Sequence, residues 1–591
     1  MTTLSKEEKE GKVLIEGDNR YYKDAWMEKR DNLYILHLKG TPYEVGYQHG
    51  ILMSEEIKKG AVNLYADPIF RGKKSYSPLS LFIKAFLKSK VYKPIEKAQP
   101  RELIDQLKGI ADGSGVPYKT IFRGNHHTAV YMVMTPKLVK KELKAFNKLG
   151  IQIGACSTFV TAKDATLNEK TIVGRNTDYS EIEKWPKYQT IMFVEPDNGF
   201  KYVQIGTAGV ILWAPGMNEK GIVVCSHYMM YDDMAPNGWN IAAFTDAFLR
   251  NAENLEDAIE ILNLNNRGMS GGFVITDGKM KDAFAAEVST GKATIRGMES
   301  NKLVMTNMAI TEEKRAIDFV SRYNVNEGCP ARYRRLHKLI DQNYGKIDPV
   351  LAAEFMGDHI RFSTNTERNA YGILAVDDNV NSMVFSPEDL KLWVASGPAP
   401  VCNNKYIGMD FEKEMIGKHY KMELKILEGY KFLNSSKRLA MQKFNKAYIL
   451  HEEDPTLIPD MLNYIQEAID LDPEEIVFYQ MSAKLLLHQR QYDRGIAILS
   501  QAFNYKQSLN EKAHSNLILG ILNDLKGERK SAISYYQKIE DLTKIEPEDP
   551  WFKVNKIVGA YSQQYLKRPF TNKNLKDRSV LIEFAQGAGI E

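Results

Sequence analysis

The stretch QIGACSTFVTAKDATLNEKTIVGRNTDYS, residues 152–180, contains one of only four cysteines in a chain of 591 residues. Cys156 follows the small residues Gly154 and Ala155, and the segment GRNTDY at 174–179 comes soon after it. Only the thiolate form of a cysteine attacks efficiently, and a free thiol with a pKa of about 8.5 is mostly protonated at neutral pH. A nucleophilic Cys156 therefore needs a nearby base.

One base available to a cysteine is its own α-amino group, whose pKa of about 7.7 to 8.0 lies close to neutral pH. That group is free only if Cys156 is the first residue of its chain. Gly154 and Ala155 allow a strained turn, in which the thiol attacks the Ala155 carbonyl and a thioester replaces the peptide bond. Water then releases the new terminus. The stretch therefore predicts self-cleavage between Ala155 and Cys156.

Further motifs follow one another along the chain. They are GTPYEVGYQHG (40–50), GACST (154–158), GRNTDY (174–179), APGMNEKGIVV (214–224), MTNMA (305–309) and ARYRRL (331–336). Together they resemble the N-terminal nucleophile hydrolases of the penicillin acyltransferase type and, more distantly, the bile salt hydrolases and penicillin V acylases. The resemblance covers roughly residues 30–412.

The resemblance implies a role for each residue of the candidate catalytic set, which consists of Cys156, Arg175, Asp178, Asn307 and Arg332. Cys156 is expected to be the nucleophile and, once freed, to supply its amine as the base. Asp178 is expected to accept a hydrogen bond from the ammonium or thiol, and Arg175 to balance Asp178. Asn307 is expected to donate to the oxyanion, and Arg332 stands where the family has an active-site arginine.

Two positions depart from the family pattern. Ala155 stands where the fungal acyltransferase has glycine. After GMNEKG the bile salt hydrolases reach an asparagine that helps to form the oxyanion hole, whereas this chain has Cys225, Ser226, His227 and Tyr228. The first oxyanion donor is therefore unassigned, and a backbone N–H is one candidate replacement.

The chain divides into three predicted parts. Residues 1–155 form a mainly helical pro-segment, residues 156–415 alternate short apolar strands with helices, and residues 425–591 resemble tetratricopeptide repeats. Ala468 and Ala502 are separated by the period of such repeats. The predicted fold class is α+β: a four-layer αββα N-terminal nucleophile hydrolase sandwich with a helical pro-segment and a C-terminal α-helical repeat domain.

Histidines offer an alternative way to activate the thiol. His49, His126, His127 and His227 are candidates, and adjacent histidines such as His126 and His127 can polarise a thiol or bind a metal. Neighbouring positions point apart, however, and the sequence shows no third ligand. We expect no metal and no cofactor.

The segment SPLSLFIKAFLKSKVYK, residues 77–93, combines apolar residues with lysines. It is compatible with a helix that lies on an anionic membrane or covers an acyl-chain pocket. The preferred interpretation is a helix with an apolar face toward the core and a solvated lysine face.

Composition narrows the function classes. The 79 basic and 75 acidic residues are spread along the chain and give a net charge of +4, so we expect no nucleic-acid partner. The four cysteines show neither zinc-ligand spacing nor disulfide density, and the first residues lack a secretory signal. We expect a cytoplasmic protein without membrane contact.

The leading hypothesis is a cysteine amidohydrolase that cleaves a non-peptide linear amide, a small-molecule N-acyl compound. An acyltransferase that passes the acyl group to an amine is the first alternative. A non-enzymatic protein that binds a protein partner or self-associates through its C-terminal repeats is the second.

Overall fold

The computed structural model describes residues 12–66, 85–128, 155–211, 214–264, 266–268, 271–324, 327–417, 424–432 and 434–577. Gly154, on one side of the predicted cleavage turn, lies outside these residues, as do residues 77–84 of the lysine-rich segment 77–93.

Strands occupy the N-terminal and central parts of the chain. They are β1 (Leu14–Glu16), β2 (Asn19–Tyr22), β3 (Ala25–Arg30), β4 (Leu33–Gly40), β5 (Ala155–Thr161), β6 (Ile172–Asp178), β7 (Gln189–Pro196), β8 (Tyr202–Thr207), β9 (Gly216–Asn218), β10 (Ile222–Tyr228), β11 (Gly271–Asp277), β12 (Asp282–Val288), β13 (Ala293–Gly297), β14 (Lys302–Met305), β15 (Ile360–Arg361), β16 (Thr366–Glu367), β17 (Asn379–Ser386), β18 (Lys391–Ala395) and β19 (Tyr406–Asp410).

The α-helices lie before, between and after these strands. They are α1 (Pro42–Leu52), α2 (Ser54–Lys59), α3 (Ala61–Tyr65), α4 (Lys93–Ala98), α5 (Arg101–Ser114), α6 (Tyr118–Asn125), α7 (Lys184–Lys187), α8 (Ile241–Asn251), α9 (Leu255–Leu264), α10 (Glu312–Arg315), α11 (Phe319–Tyr323), α12 (Gly328–Gln342), α13 (Pro349–Met356), α14 (Phe411–Glu414), α15 (Ser435–Glu453), α16 (Ile458–Leu471), α17 (Ile476–His488), α18 (Tyr492–Gln501), α19 (Leu509–Lys526), α20 (Arg529–Thr543), α21 (Lys556–Lys567) and α22 (Asn572–Asp577).

Two large sheets form the centre of the molecule. One has eleven strands in the order β1-β2-β3-β4-β7-β8-β9-β10-β11-β12-β13, and the other has six in the order β14-β5-β6-β17-β18-β19. A short hairpin, β15-β16, stands apart from both. The prediction of a mixed α/β architecture with strands from Cys156 onward is confirmed.

A buried apolar core fills the space between the two sheets. Ile35 and Val274 of the larger sheet pack in one cluster with Val160, Val173 and Met383 of the smaller sheet. Because successive strand residues point to opposite faces, the alternate residues of the same strands face helices instead. Helices α1 and α8 contact the larger sheet, and α12 and α13 contact the smaller one. The sheets are therefore covered on both faces, which explains their nearly continuous apolar sequences.

The N-terminal part differs from the prediction of a helical segment. Residues 14–40 form β1 to β4, joined by three two-residue turns, and β4 continues into the larger sheet through its parallel neighbour β7. Gly17, Lys23 and Asp31 have positive φ values in these turns, as two-residue hairpins require. The helical prediction is correct only from Pro42 to Asn125 among the described residues of this part, and the boundary at residue 155 stays a prediction.

The motif GTPYEVGYQHG forms β4's last residue and most of α1, and it has a packing role. An added Cβ at Gly46 would lie 2.0 Å from the Gln106 carbonyl oxygen, and one at Gly109 would lie 2.1 Å from the Tyr43 carbonyl oxygen. Only glycine allows α1 and α5 to approach backbone to backbone at these points. This helix pair lies on the larger sheet and does not contribute to the site described below.

The C-terminal helices α15 to α21 pack mainly against their neighbours in sequence. Ala468 and Ala502, the pair that predicted the repeat period, are both fully buried. A C-terminal helical region is therefore confirmed, and its assignment to the tetratricopeptide type stays a prediction.

Buried polar contacts join this helical region to the central part of the chain. The Arg361 guanidinium is fully buried and pairs with Glu511 of α19 and, at 3.4 Å, with Glu327. Asn369 donates to Asp472 at 2.8 Å through its side chain, and its backbone N–H donates to Glu475 at 2.7 Å. A buried charge is costly without its partner, so the two regions are expected to unfold together.

The described part of segment 77–93 contains both buried and exposed apolar residues. Leu87, Val91 and Tyr92 are buried against the core, whereas Phe86 is 42% exposed. Of the helices in the described part of the chain, none is long and apolar enough to cross a membrane.

Candidate active site

Cys156 is the second residue of β5, and the pairing of β5 with β6 brings it beside the segment GRNTDY. Cys156 lies opposite Thr177, and Thr158 lies opposite Arg175. Directly opposed side chains of an antiparallel pair point to the same face, as do residues two apart on one strand. Cys156 and Arg175 therefore share the face toward the core between the sheets, although 19 positions separate them in sequence.

The Arg175 guanidinium holds the Cys156 thiol. Arg175 Nη2 donates to Cys156 Sγ at 2.9 Å, while Nη1 donates to Thr158 Oγ1 at 3.2 Å and to His227 Nε2 at 3.0 Å. Burial raises the pKa of the Cys156 thiol, and the positive charge of Arg175 opposes this effect. Because burial outweighs the arginine, the thiol of the uncut chain is mostly protonated at neutral pH.

The backbone of Cys156 is fixed from both sides. Its N–H donates to Asn307 Oδ1 at 2.6 Å, and its carbonyl accepts from Arg332 Nη1 at 2.6 Å. Arg332 Nη2 also donates to Asn307 Oδ1 at 3.3 Å, which ties these two residues together. The nitrogen that cleavage would convert into an α-amine is thus already held by a side-chain acceptor.

Among the described residues, one N–H of the Asn307 amide has no acceptor. Its Nδ2 donates to the Tyr228 carbonyl at 2.8 Å, and a primary amide carries two N–H donors. Donation to an oxyanion needs the second hydrogen, so this expected role stays a prediction. The structure adds a contact that the sequence did not predict, because Asn307 Oδ1 is the acceptor for the Cys156 N–H.

Asp178 lies at the same end of β6 but on the other face of the sheet. It is opposite Ala155, whose side chain points away from that of Cys156. Asn379 Nδ2 donates to Asp178 Oδ1 at 2.7 Å, and the other carboxylate oxygen has no hydrogen-bond partner among the described residues. This placement favours the backbone nitrogen of Cys156 over its thiol as the group that Asp178 influences.

Burial raises the pKa of the Asp178 carboxyl above its ordinary value, although Arg332 and a hydrogen bond from Asn379 oppose the shift. Asp377, two residues before Asn379, is also fully buried, and both of its carboxylate oxygens lack a partner within the described residues. Burial raises the pKa of the Asp377 carboxyl as well. Two buried carboxyls thus lie at the end of the sheet where Cys156 begins its strand.

The expected balance between Arg175 and Asp178 is not a direct ion pair. The two terminal nitrogens of Arg175 point to Cys156, Thr158 and His227 on the inner face, while Asp178 occupies the outer face. Arg175 acts on the Asp178 pKa only through its charge at a distance. Because successive residues of a strand point to opposite faces, two side chains three positions apart lie on different faces. The expected balance of charge between Arg175 and Asp178 stays a prediction.

His227 does not fit the role of base for the thiol. Its Nε2 lone pair accepts from Arg175, and Thr158 Oγ1 lies 2.7 Å from the same nitrogen. Burial, followed by the charge of Arg175, lowers the pKa of His227 well below its ordinary value. The ring is therefore neutral, with its proton on Nδ1.

The other histidines make contacts away from Cys156. His126 Nδ1 bonds to the Phe122 carbonyl at 2.8 Å, and His127 Nε2 lies 2.6 Å from the Tyr179 hydroxyl. His49 Nε2 accepts from the Gly209 N–H at 3.2 Å. These contacts account for the pair of adjacent histidines as structural groups.

The remaining cysteines are buried and less suited to attack. Burial raises the pKa of Cys225 to about 12 and that of Cys329 to about 11. Burial also raises the pKa of Cys402 well above its ordinary value. Because the thiolate is the reactive form, none of the three competes with Cys156 near neutral pH.

The structure brings all five predicted site residues to one end of the six-stranded sheet. Sequence reasoning missed three residues of the site. Thr158 accepts a hydrogen bond from Arg175, Asn379 donates one to Asp178, and the buried Asp377 interacts electrostatically with Asp178. The run Asp377-Asp378-Asn379 leads into a buried strand and was a usable signal, since buried polar residues are the informative exception in a core. Two cavities of about 630 Å³ each lie elsewhere, and none of the five residues lines either of them.

Residues 166–399 match the family model of acyl-coenzyme A:6-aminopenicillanic acid acyl-transferase. The matched range includes Arg175, Asp178, Asn307 and Arg332, begins after Cys156 and ends before the C-terminal helices. This part of the chain is similar to a family of acyl-transferring enzymes.

Curated relatives and a solved structure show further similarity. An uncharacterised protein of Archaeoglobus fulgidus is 25% identical over 62% of this chain and 64% of its own length. Protein dcd1A of Dictyostelium discoideum is 26% identical over 34% of this chain and 45% of its own length. The chain thus spans less than two thirds of either relative.

The solved structure of a Caenorhabditis elegans N-acylethanolamine-hydrolyzing acid amidase ortholog is 14% identical in sequence to this chain. The match covers 39% of this chain and 93% of the chain of the ortholog. Its TM-score of 0.28 is too low to define a shared fold.

Proposed function

We propose that this chain is a self-processing cysteine amidohydrolase of the N-terminal nucleophile type, which cleaves a non-peptide linear amide through a thioester at Cys156. One observation carries the proposal: Asn307 Oδ1 holds the Cys156 backbone nitrogen at 2.6 Å while Arg175 Nη2 contacts its thiol at 2.9 Å. The future amine and the nucleophile are thus both fixed in the uncut chain. The similarity of residues 166–399 to acyl-transferring enzymes supports the same activity.

Self-processing begins at the Ala155–Cys156 bond. The Cys156 thiol attacks the Ala155 carbonyl carbon, the carbon–nitrogen bond breaks, and the nitrogen takes up the thiol proton to become an amine. The product is a thioester between Ala155 and Sγ. Water then attacks the same carbon and releases the Ala155 carboxylate together with a free Cys156 thiol.

Catalysis uses the same atoms again. The free α-amine takes the thiol proton, and the thiolate attacks the carbonyl carbon of the substrate amide. The second N–H of Asn307 donates to the oxyanion, a contact whose loss costs about 3 kcal/mol where such donors have been removed. The amine product leaves with the proton from the Cys156 ammonium, and water, activated by the amine, hydrolyses the thioester.

The arginines and Asp178 set the electrostatics of these steps. Arg175 stabilises the thiolate, and Arg332 fixes the Cys156 carbonyl, so the reacting residue keeps its orientation as charge moves. Asp178, on the outer face, stabilises the ammonium that forms when the amine accepts the thiol proton.

Hydrolysis and amine transfer share the acyl-enzyme and differ in the group that accepts its acyl chain. The experiment is turnover of dodecanoyl p-nitroanilide, with and without methylamine, analysed by mass spectrometry. We expect dodecanoate as the main product and a transient dodecanoyl adduct on Cys156. N-Methyldodecanamide as the main product would establish the transferase alternative. An absence of any adduct on Cys156 with a panel of anilides and esters would favour the non-enzymatic alternative.

The C-terminal helix α15 is proposed to support the site through Glu452. The Glu452 carboxylate accepts from the backbone N–H of Glu181 and, at 3.0 Å, from that of Ile182, just after Asp178 in the chain. Glu452→Ala removes both bonds, so we expect self-cleavage and Cys156 alkylation by iodoacetamide to slow at least about fivefold, which corresponds to about 1 kcal/mol.

The matched control is Glu453→Ala, because Glu453 is the exposed neighbour on the same helix. Equal rates for both variants and the wild type would show that α15 does not position the loop after Asp178.

A further inference from the structure

A cavity of about 630 Å³ lies where the β3–β4 hairpin, the loop after β6, the turn after β18 and helix α15 meet. Its lining comprises Lys29, Asn32, Tyr34, Ile182, Glu183, Pro186, Lys187, Tyr188, Gly397, Pro398, Ala399, Gln442, Asn445, Lys446 and Ile449. Volumes of about 300 to 1,000 Å³ are typical of small-molecule sites. Because one wall comes from α15, which lies beyond the matched range 166–399, the cavity is a feature of this chain's own C-terminal region.

The walls of the cavity are largely apolar. Tyr34, Ile182, Pro186, Tyr188 and Ile449 supply aromatic and aliphatic surface. Ile182 and Tyr188 are buried parts of the fold, so their positions are set by packing and not by a ligand. A preformed apolar surface of this kind favours an apolar body as its occupant.

The mouth of the cavity is positively charged. Three exposed lysines, Lys29, Lys187 and Lys446, line it together with a single acid, Glu183, which leaves a net charge of +2 (3 − 1). Lys29 Nζ lies 5.5 Å from the Tyr34 ring centroid and Lys187 Nζ lies 5.7 Å from that of Tyr188. Lys446 Nζ lies 5.6 Å from the ring centroid of Tyr464, which is outside the cavity lining. Within the described residues none of the three ammonium groups enters a salt bridge, so their charge is available to a ligand.

We propose that this cavity is a second ligand site, which binds an anionic amphiphile with its apolar chain against Tyr34, Ile182 and Ile449 and its charged head among the three lysines. The head group is a carboxylate or a phosphate monoester, since both present oxygen acceptors to ammonium donors. The site is distinct from the one at Cys156, because none of the five candidate catalytic residues lines it.

The test is isothermal titration of the full-length Cys156→Ala protein with decanoate, decyl phosphate and the neutral decyl maltoside, each below its micelle concentration. Using Cys156→Ala separates binding from any turnover, so failure of the proposed function leaves the result interpretable. We expect both anions to bind and the neutral compound to bind at least about tenfold more weakly. The ratio between decanoate and decyl phosphate identifies the preferred head.

The triple substitution Lys29→Gln, Lys187→Gln, Lys446→Gln is expected to weaken decanoate binding about tenfold, because it removes three positive charges from the mouth. The control triple substitution Lys279→Gln, Lys512→Gln, Lys530→Gln removes the same charge at exposed positions outside the cavity and is expected to leave the affinity unchanged.

The apolar wall is tested separately with Ile449→Asp, which places a negative charge, the same sign as that of the ligand's head group, inside the cavity. The neutral Ile449→Asn is made beside it. We expect decanoate binding to fall more for the aspartate than for the asparagine. Equal affinity of decanoate for the parent protein and the cavity lysine triple, or equal binding of decyl maltoside and decanoate, overturns the proposal.

Discussion

Asp178→Asn is expected to stabilise the fold at pH 8 and to slow self-cleavage by at least about a hundredfold. Burial raises the pKa of the Asp178 carboxyl in the folded protein above its value in the unfolded chain. Between these two pKa values the folded state binds more protons, so stability falls as the pH rises through this range. Asparagine keeps an oxygen for the bond from Asn379 and carries no charge.

The expected gain for Asp178→Asn is about 2 kcal/mol at pH 8, and it disappears below the ordinary carboxyl pKa, where both chains are neutral at this position. Chemical denaturation at pH 8 and at about pH 3, below the ordinary carboxyl pKa, measures it, and intact mass follows the cleavage. The rate falls because the Cys156 nitrogen gains positive charge as it takes up the thiol proton during cleavage and loses the negative charge of Asp178 that stabilises it, an effect of general acid–base groups worth about 10²- to 10⁴-fold.

The control for Asp178→Asn is Asp164→Asn. Asp164 is exposed, and a hydrogen bond from Tyr344 lowers the pKa of its carboxyl, a shift opposite in direction to that of Asp178. We expect no gain in stability from this control at either pH. A loss of stability for Asp178→Asn at pH 8 would mean that the buried carboxylate is stabilising, contrary to the burial argument.

Arg175→Met is expected to reduce iodoacetamide alkylation of Cys156 at pH 7.5 by at least about tenfold. The guanidinium both donates to Sγ and lowers the thiol pKa through its charge. In the variant, Arg175 no longer opposes the effect of burial on the thiol pKa. At a pH below the thiol pKa of both the wild type and the variant, each unit of further rise reduces the thiolate fraction about tenfold. The pH–rate profile should therefore move to higher pH.

Arg250→Met is the matched control, since Arg250 is another buried arginine, paired with Asp246 at 2.7 Å, and does not contact Cys156. Peptide mapping assigns the alkylated cysteine in each variant. An unchanged pH–rate profile in Arg175→Met would remove Arg175 from the proposed site.

The five site residues could be chosen from the sequence because its motifs resemble those of a known family, and strand pairing explains why two of them lie together. A short connection between β5 and β6 makes an antiparallel pair, and that pair places Cys156 beside Arg175. The directions of the side chains were harder to predict. The opposite faces of Cys156 and Asp178 follow from strand alternation, but only once the strand limits are known.

Other features depended on distant parts of the chain. The first strands of residues 14–40, β1 and β2, are short and are held by their neighbours in the larger sheet. Their own sequences therefore carry only a weak strand signal. Glu452 and Asn445 reach the site region from α15, and Asn445 Nδ2 donates to the Ala399 carbonyl at 2.9 Å. Contacts across such separations cannot be read from motif spacing.

The C-terminal region bears on the alternative of a non-enzymatic interaction protein. Its acids satisfy buried groups of the central part, including the Arg361 guanidinium and the backbone N–H of Ile182. A helical region used only to bind partners would not need these contacts. Its proposed partner or self-association surface is therefore an addition to a structural role.

The most direct measurement is the intact mass under denaturing conditions of the wild type and Cys156→Ala after prolonged incubation at neutral pH. The proposal predicts fragments of 155 and 436 residues (591 − 155 = 436) from the wild type and a whole chain from the variant. Two whole chains would contradict it, because the Cys156 α-amine that serves as the base would never form.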